Sequence, residues 1–152
     1  MSRDIPEVVG VWILRSLQLE NPETGQRIDA YGPNPRGVLI LHPDGRMAAV
    51  ITPRDQAVPI TEADEVAAFQ NLVAYSGRYR LDPPDLFVTM VDVSWFQPWI
   101  GTEQPRTYKI SGDTLDIITP PTRTSFAKGL WTGTLSWVRE GSAAAHGPST
   151  GG

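Results

Sequence analysis

The chain has 152 residues, 20% of them charged, a formal net charge of −4 and no cysteine. That length suits a single core, and basic residues scattered singly give a nucleic-acid backbone nothing continuous to grip. Two histidines without cysteine exclude a structural zinc set, a thiol nucleophile and disulfides.

No apolar run approaches the roughly 18 residues of a membrane helix, and the start MSRDIPEVVG has no apolar signal core. A cytoplasmic protein with no membrane insertion and no nucleic-acid partner is therefore expected. Fourteen glycines and fourteen prolines punctuate short runs rich in Val, Ile, Leu, Trp and Tyr, the pattern of many short antiparallel strands. Strands are predicted at 11–18, 26–30, 37–42, 46–52, 75–81, 86–94, 103–110, 114–118 and 130–139. The turn signals PDG (43–45), DPPD (82–85) and SGD (111–113) are short enough to force hairpins between sequence neighbours. Neighbour pairing of about eight or nine strands favours an all-β, closed antiparallel up-and-down barrel over a Greek-key sandwich.

One segment departs from this pattern. TEADEVAAFQNLVAY offers Thr61 as a cap, Asp64 three residues on, and Ala63, Val66, Phe69 and Val73 at helical spacing. One short helix over 62–73 is predicted, lying against the barrel and closing one end. From residue 141, GSAAAHGPSTGG reads as a flexible tail. This leaves 1–140 as the barrel domain and 141–152 as the tail, and discounts His146 as a catalyst.

The stretch YGPNPRGVLILHPDGRMAAV gathers glycines, Arg36, His42 and Arg46 around one apolar run. A phosphate cradle would need a glycine loop running into a helix amino terminus, whereas these glycines flank two strands joined by a tight PDG turn. The hairpin reading follows. His42, before Pro43, falls on the solvent side, or at the rim as an acid or base beside Asp44 and Arg46.

Alternation along each strand proposes a lumen. Fixing Trp12 inward brings Leu14 and Ser16 with it; the next hairpin contributes Leu39, Leu41, Met47, Ala49 and Ile51. Tyr75, Gly77 and Tyr79 oppose outward Ser76, Arg78 and Arg80, while Arg106 and Tyr108 oppose Thr107 and Lys109. Leu115, Ile117, Trp131, Leu135 and Trp137 complete the wall, with Met90 added as a ligand contact. The expected lumen is apolar, with three phenols and one guanidinium. An inward Arg106 must find an acceptor: either Asp92, Glu103 or Asp116 within the protein, or an oxygen of a ligand. Tyr75, Tyr79 and Tyr108 are either barrel filling or hydrogen-bond donors to that ligand. Trp95, Phe96 and Trp99 in SWFQPWIG form either a lid over the mouth or a plug for the closed end.

The first strand begins GVW and the last ends WVR, so Gly10, Trp12, Trp137 and Arg139 stand where a barrel must zip shut. This resembles the calycin signature, in which a G-x-W on the first strand is covered by a basic residue from the last. GVWILRS, GPNPRGVLILHPDGRM, AYSGRY, SWFQPWIGTEQPR and LSWVR further resemble successive motifs of the lipocalin-like domain family, from about residue 10 to 139. In that family a histidine often sits in the strand before the P-W-x-G motif. Here Thr89 and Met90 occupy that region, so no acid–base role is carried over. The resemblance implies a cavity more than a reaction.

Two functions are compatible. One is a cofactor-independent enzyme that promotes cyclisation or isomerisation of a hydrophobic substrate, with Arg106, Tyr108, Tyr79 and Tyr75 as the candidate catalytic groups. Cyclases of specialised metabolism among related barrels supply the analogy. The other is a non-catalytic carrier of a hydrophobic metabolite, acting alone or as a homodimer. Neither calls for a cofactor or a metal.

Overall fold

The structure, a computed structural model, describes residues 5–123 and 128–142; the tail beyond 142, with His146, lies outside them. A single turn, α1 (Ile5–Val8), leads into β1 (Gly10–Glu20), followed by β2 (Arg27–Asp29), β3 (Arg36–Leu41) and β4 (Arg46–Thr52). After α2 (Glu62–Gln70) come β5 (Val73–Asp82), β6 (Leu86–Ser94), a 3-10 turn at Gln97–Trp99, β7 (Glu103–Ser111), β8 (Thr114–Ile118), β9 (Thr122–Arg123) and β10 (Leu130–Arg139). Pairing runs β1-β3-β4-β5-β6-β7-β8-β10, and β10 returns to β1, closing an antiparallel barrel of eight strands. The short β2 and β9 pair with β1 and β10, next to Glu20 and Leu130, and extend the rim.

The hairpin turns form where the turn residues stand. His42 N donates to Arg46 O at 2.8 Å and Gly45 N to His42 O at 3.0 Å, with Gly45 at φ 95°, a backbone region open to glycine. Burial alternates along the strands, as in β8, where Leu115 and Ile117 are buried and Asp116 between them faces outward.

Two bulges interrupt the strands, and the first alters the expected parity, while Tyr75, Gly77 and Tyr79 keep theirs. β1 slips between Leu14 and Ser16 against β10, so Ser16 turns away and Leu17 and Leu19 face inward. β5 slips against β6 between Ser76 and Gly77, where a side chain at Gly77 would collide with the Met90 carbonyl. On β6 the inward side chain is Thr89, 1% exposed, and Met90 is 41% exposed on the outside.

The end of the barrel beneath α1 is solid. Trp12 is fully buried and donates from Nε1 to Val8 O at 2.8 Å. Around it pack Leu14, Leu41, Tyr79, Leu81, Tyr108 and Leu115. The Arg139 guanidinium lies 4.3 Å from the Trp12 ring centre and donates to Val9 O and Glu7 O, closing the seam between first and last strands.

The helix differs from expectation in extent and packing. Its capping box is complete, with Asp64 N donating to Thr61 Oγ1 at 3.1 Å and Thr61 N to Asp64 Oδ2 at 3.1 Å. It ends at Gln70 rather than 73, because Val73 is drawn into β5 opposite Ile51. No residue of α2 is buried, so it stands at the rim rather than closing an end.

Candidate ligand cavity

Above the packed floor the barrel is hollow. A cavity of about 370 Å³ lies in the half away from Trp12, near the lower end of the roughly 300–1,000 Å³ usual for small-molecule sites. Its apolar wall includes Leu17, Leu39, Met47, Ile51, Ile117 and Leu135, with Trp137 on the same inward face of β10 as Leu135. Among the described residues the charged groups in its wall are Arg106 and Arg123, and no carboxylate lines it.

Arg106 is placed by β7, whose alternation turns Gln104, Arg106 and Tyr108 to the same side. Its Nη1 donates to Pro105 O at 3.0 Å and its Nη2 to Gln104 Oε1 at 3.1 Å. Gln104 is itself fixed: its Nε2 donates to Thr102 Oγ1 at 2.7 Å, and that hydroxyl donates to Trp99 O at 2.7 Å. A chain of neutral groups thus ties the guanidinium to the aromatic loop. None of the three carboxylates considered for Arg106 pairs with it: Asp92 binds Arg46 at 2.8 Å, Glu103 binds Arg80 at 3.0 Å, and Asp116 faces outward. Burial pushes the Arg106 pKa below its usual value, with a smaller opposing influence from Tyr75. A guanidinium starts so high that it remains a cation at neutral pH.

Tyr75 faces the same cavity from β5. Its ring meets Trp99 edge-on, with centres 5.2 Å apart. Burial raises its pKa, more than Arg106 lowers it, so the phenol is a neutral donor.

Of the other residues singled out from sequence, Leu39, Met47, Ile51, Trp99 and Leu135 line the cavity. Leu14 and Leu41 are buried in the floor instead. Tyr79 lies there too, its hydroxyl donating to His42 O at 3.0 Å and its ring stacked on Phe87. Tyr108 is buried in the same core and does not reach the cavity wall. Ser16 is turned away by the β1 slip, and Met90 faces outward by plain alternation between buried Thr89 and Val91. Trp131 is buried outside the cavity, donating to Lys128 O at 2.8 Å, and Trp95 lines an outer groove rather than the lumen. Of the three phenols expected inside the barrel, Tyr79 and Tyr108 face inward but belong to the packed floor, and among the described residues the cavity is lined by Tyr31 and Tyr75 with two guanidiniums.

Sequence reasoning passed over Gln104, which shares parity with Arg106 and could have been found from it. Tyr31 and Arg123 come from the rim additions around β2 and β9, too short to carry a periodic signal. His42 is exposed, accepts from Asp44 N at 3.1 Å and does not line the cavity. The PDG stretch is a hairpin.

A closed eight-stranded barrel, sealed at one end by an arginine over a G-x-W tryptophan and hollow at the other, defines a calycin-type binding barrel. A model of the lipocalin-like domain family matches residues 9–140, and the chain belongs to that family. No curated protein matches the chain. A lipocalin-like barrel with an apolar lumen fits the binding of a hydrophobic small molecule. Among the described residues no helix is long and apolar enough to cross a membrane.

Proposed function

We propose that the barrel binds a hydrophobic small molecule through an acceptor oxygen held by Arg106. The observation that carries this is a half-buried guanidinium in an apolar lumen, with two neutral acceptors and no carboxylate among the described residues. A guanidinium has five N–H donors in a fixed fork, so the two bonds it makes leave capacity for a ligand oxygen. A carboxylate, enolate or polarised carbonyl would answer the buried charge, which otherwise remains uncompensated. The electrostatics point the same way, since in a chain of net charge −4 the described residues give the lumen two arginines and no acid.

A second reading, cofactor-independent cyclisation or isomerisation, is favoured by Tyr75. A neutral phenol and a cation facing one cavity are the donors that an oxygen acquiring negative charge would engage, and a shaped apolar lumen would hold a flexible substrate folded. A carrier would use the same two side chains for orientation alone.

The test is Arg106→Met, which keeps the apolar stem and removes the charge. Its melting temperature should stay close to that of the wild type, because no internal carboxylate is left unpaired. Affinity for an anionic apolar probe such as 1-anilinonaphthalene-8-sulfonate should fall about tenfold or more, the size of a lost charge-assisted hydrogen bond. An early-melting variant, or one that binds the probe normally, defeats the assignment. Mass spectrometry of bound ligand recovered from wild-type and Tyr75→Phe protein separates carrier from enzyme, since only an enzyme changes it.

A further inference from the structure

The lumen continues past its rim. Trp99 and Arg123 line it and also line a second depression, about 760 Å³, between α2 and the aromatic loop. Val66 and Phe69 of α2 form one wall of this groove, and Trp95 and Phe96 form the other. The walls touch at one edge, where Trp95 Nε1 donates to Phe69 O at 3.3 Å. Even so, Val66 is 56% and Phe69 49% exposed.

A nine-residue helix is too short to persist on propensity alone, and among the described residues nothing covers the apolar side that α2 turns to the groove. The charges are unevenly shared between the compartments. Arg106 lies in the lumen, where among the described residues no carboxylate lines the wall; Glu62 and Glu65 stand on the groove's helical wall, and Arg123 sits at the boundary that both spaces share. An acidic group is therefore favoured inside and disfavoured outside.

We propose that the ligand is elongated and occupies both compartments, with its acidic or carbonyl end at Arg106, its stem passing Trp99, and an uncharged apolar arm in the groove between α2 and Trp95. This rests on the reading that Arg106 anchors a ligand in the lumen. The continuity of the two spaces through shared side chains assigns the groove to the outer part of that same molecule.

Calorimetric titration with octanoate, dodecanoate and hexadecanoate, below their micellar concentrations, tests it. Affinity should keep rising through hexadecanoate as the arm reaches the groove. Phe69→Ser, a change at an exposed site, should weaken hexadecanoate about tenfold and leave octanoate unchanged. Hexadecanedioate should bind more weakly than hexadecanoate, its second carboxylate meeting Glu62 and Glu65, and Arg106→Met should weaken every length. A plateau at octanoate, or equal losses for short and long acids in Phe69→Ser, overturns the proposal while leaving the lumen site standing. If no acid of any length binds, the Arg106 anchor fails and the two-compartment ligand fails with it.

Discussion

Two arginines show how one residue type serves opposite ends of this barrel. Arg139 uses all three of its nitrogens within the protein: it covers Trp12, donates to Val9 O and Glu7 O and meets Asp113 at 3.2 Å through Nε. Gly10 makes room for it, since a Cβ there would stand 3.0 Å from Nη1 and its φ of 140° suits glycine. Arg106 meets only neutral acceptors. Arg139→Ala should therefore cost stability, about 1–3 kcal/mol for the stacking and the carbonyl bonds, while leaving affinity in the lumen unchanged. Chemical denaturation beside a binding titration checks both halves, and an unchanged midpoint would mean the seam does not depend on this contact. The role of Arg139 was legible because its neighbours in sequence form a motif. Arg106 could be placed inward by alternation, but its lack of a carboxylate partner depends on where Arg46 and Arg80 reach across strands, which no local pattern encodes.

At the level of elements, start signals were easier to read than stop signals. The capping box fixed the beginning of α2 from Thr61 and Asp64, whereas its end was set by a long-range event, the pairing of Val73 with Ile51. Strand periods likewise held until a bulge intervened. One extra residue near Arg15 exchanges Ser16 for Leu17 in the lumen, and such a slip depends on how β1 meets β10 rather than on β1 alone. α1 and β9 are shorter than the periodicities that reveal helices and strands, so neither was foreseen. The local character of α2 yields a prediction. Thr61→Ala removes one side of the capping box, worth about 1 kcal/mol, in a helix that buries nothing. Hydrogen exchange at 62–70 should quicken several-fold without a change in the global melting temperature. A fall in global melting temperature instead would show that α2 folds as part of the barrel.

Over the whole molecule the barrel divides into a structural half and a binding half. The floor around Trp12 and Leu115 is packed and closed by α1 and Arg139. The upper half gives up packing for a cavity, so its wall residues touch neighbours on fewer sides. Leu115 on β8 is fully buried, while Leu135 on β10 is half-buried and faces the lumen. Truncating Leu115 to Ala opens a void in close-packed surroundings and should cost about 3–5 kcal/mol, toward the upper range for buried leucines. Leu135→Ala enlarges a space that already exists and forfeits fewer contacts, so about 1–2 kcal/mol is expected. Urea denaturation of the two variants at equal slope measures the difference. The Leu135 variant should also gain relative affinity for bulkier apolar acids, a change the Leu115 variant should not show. Equal destabilisation would mean that Leu135 is as tightly packed in solution as the floor, and that the upper half of the barrel is not hollow.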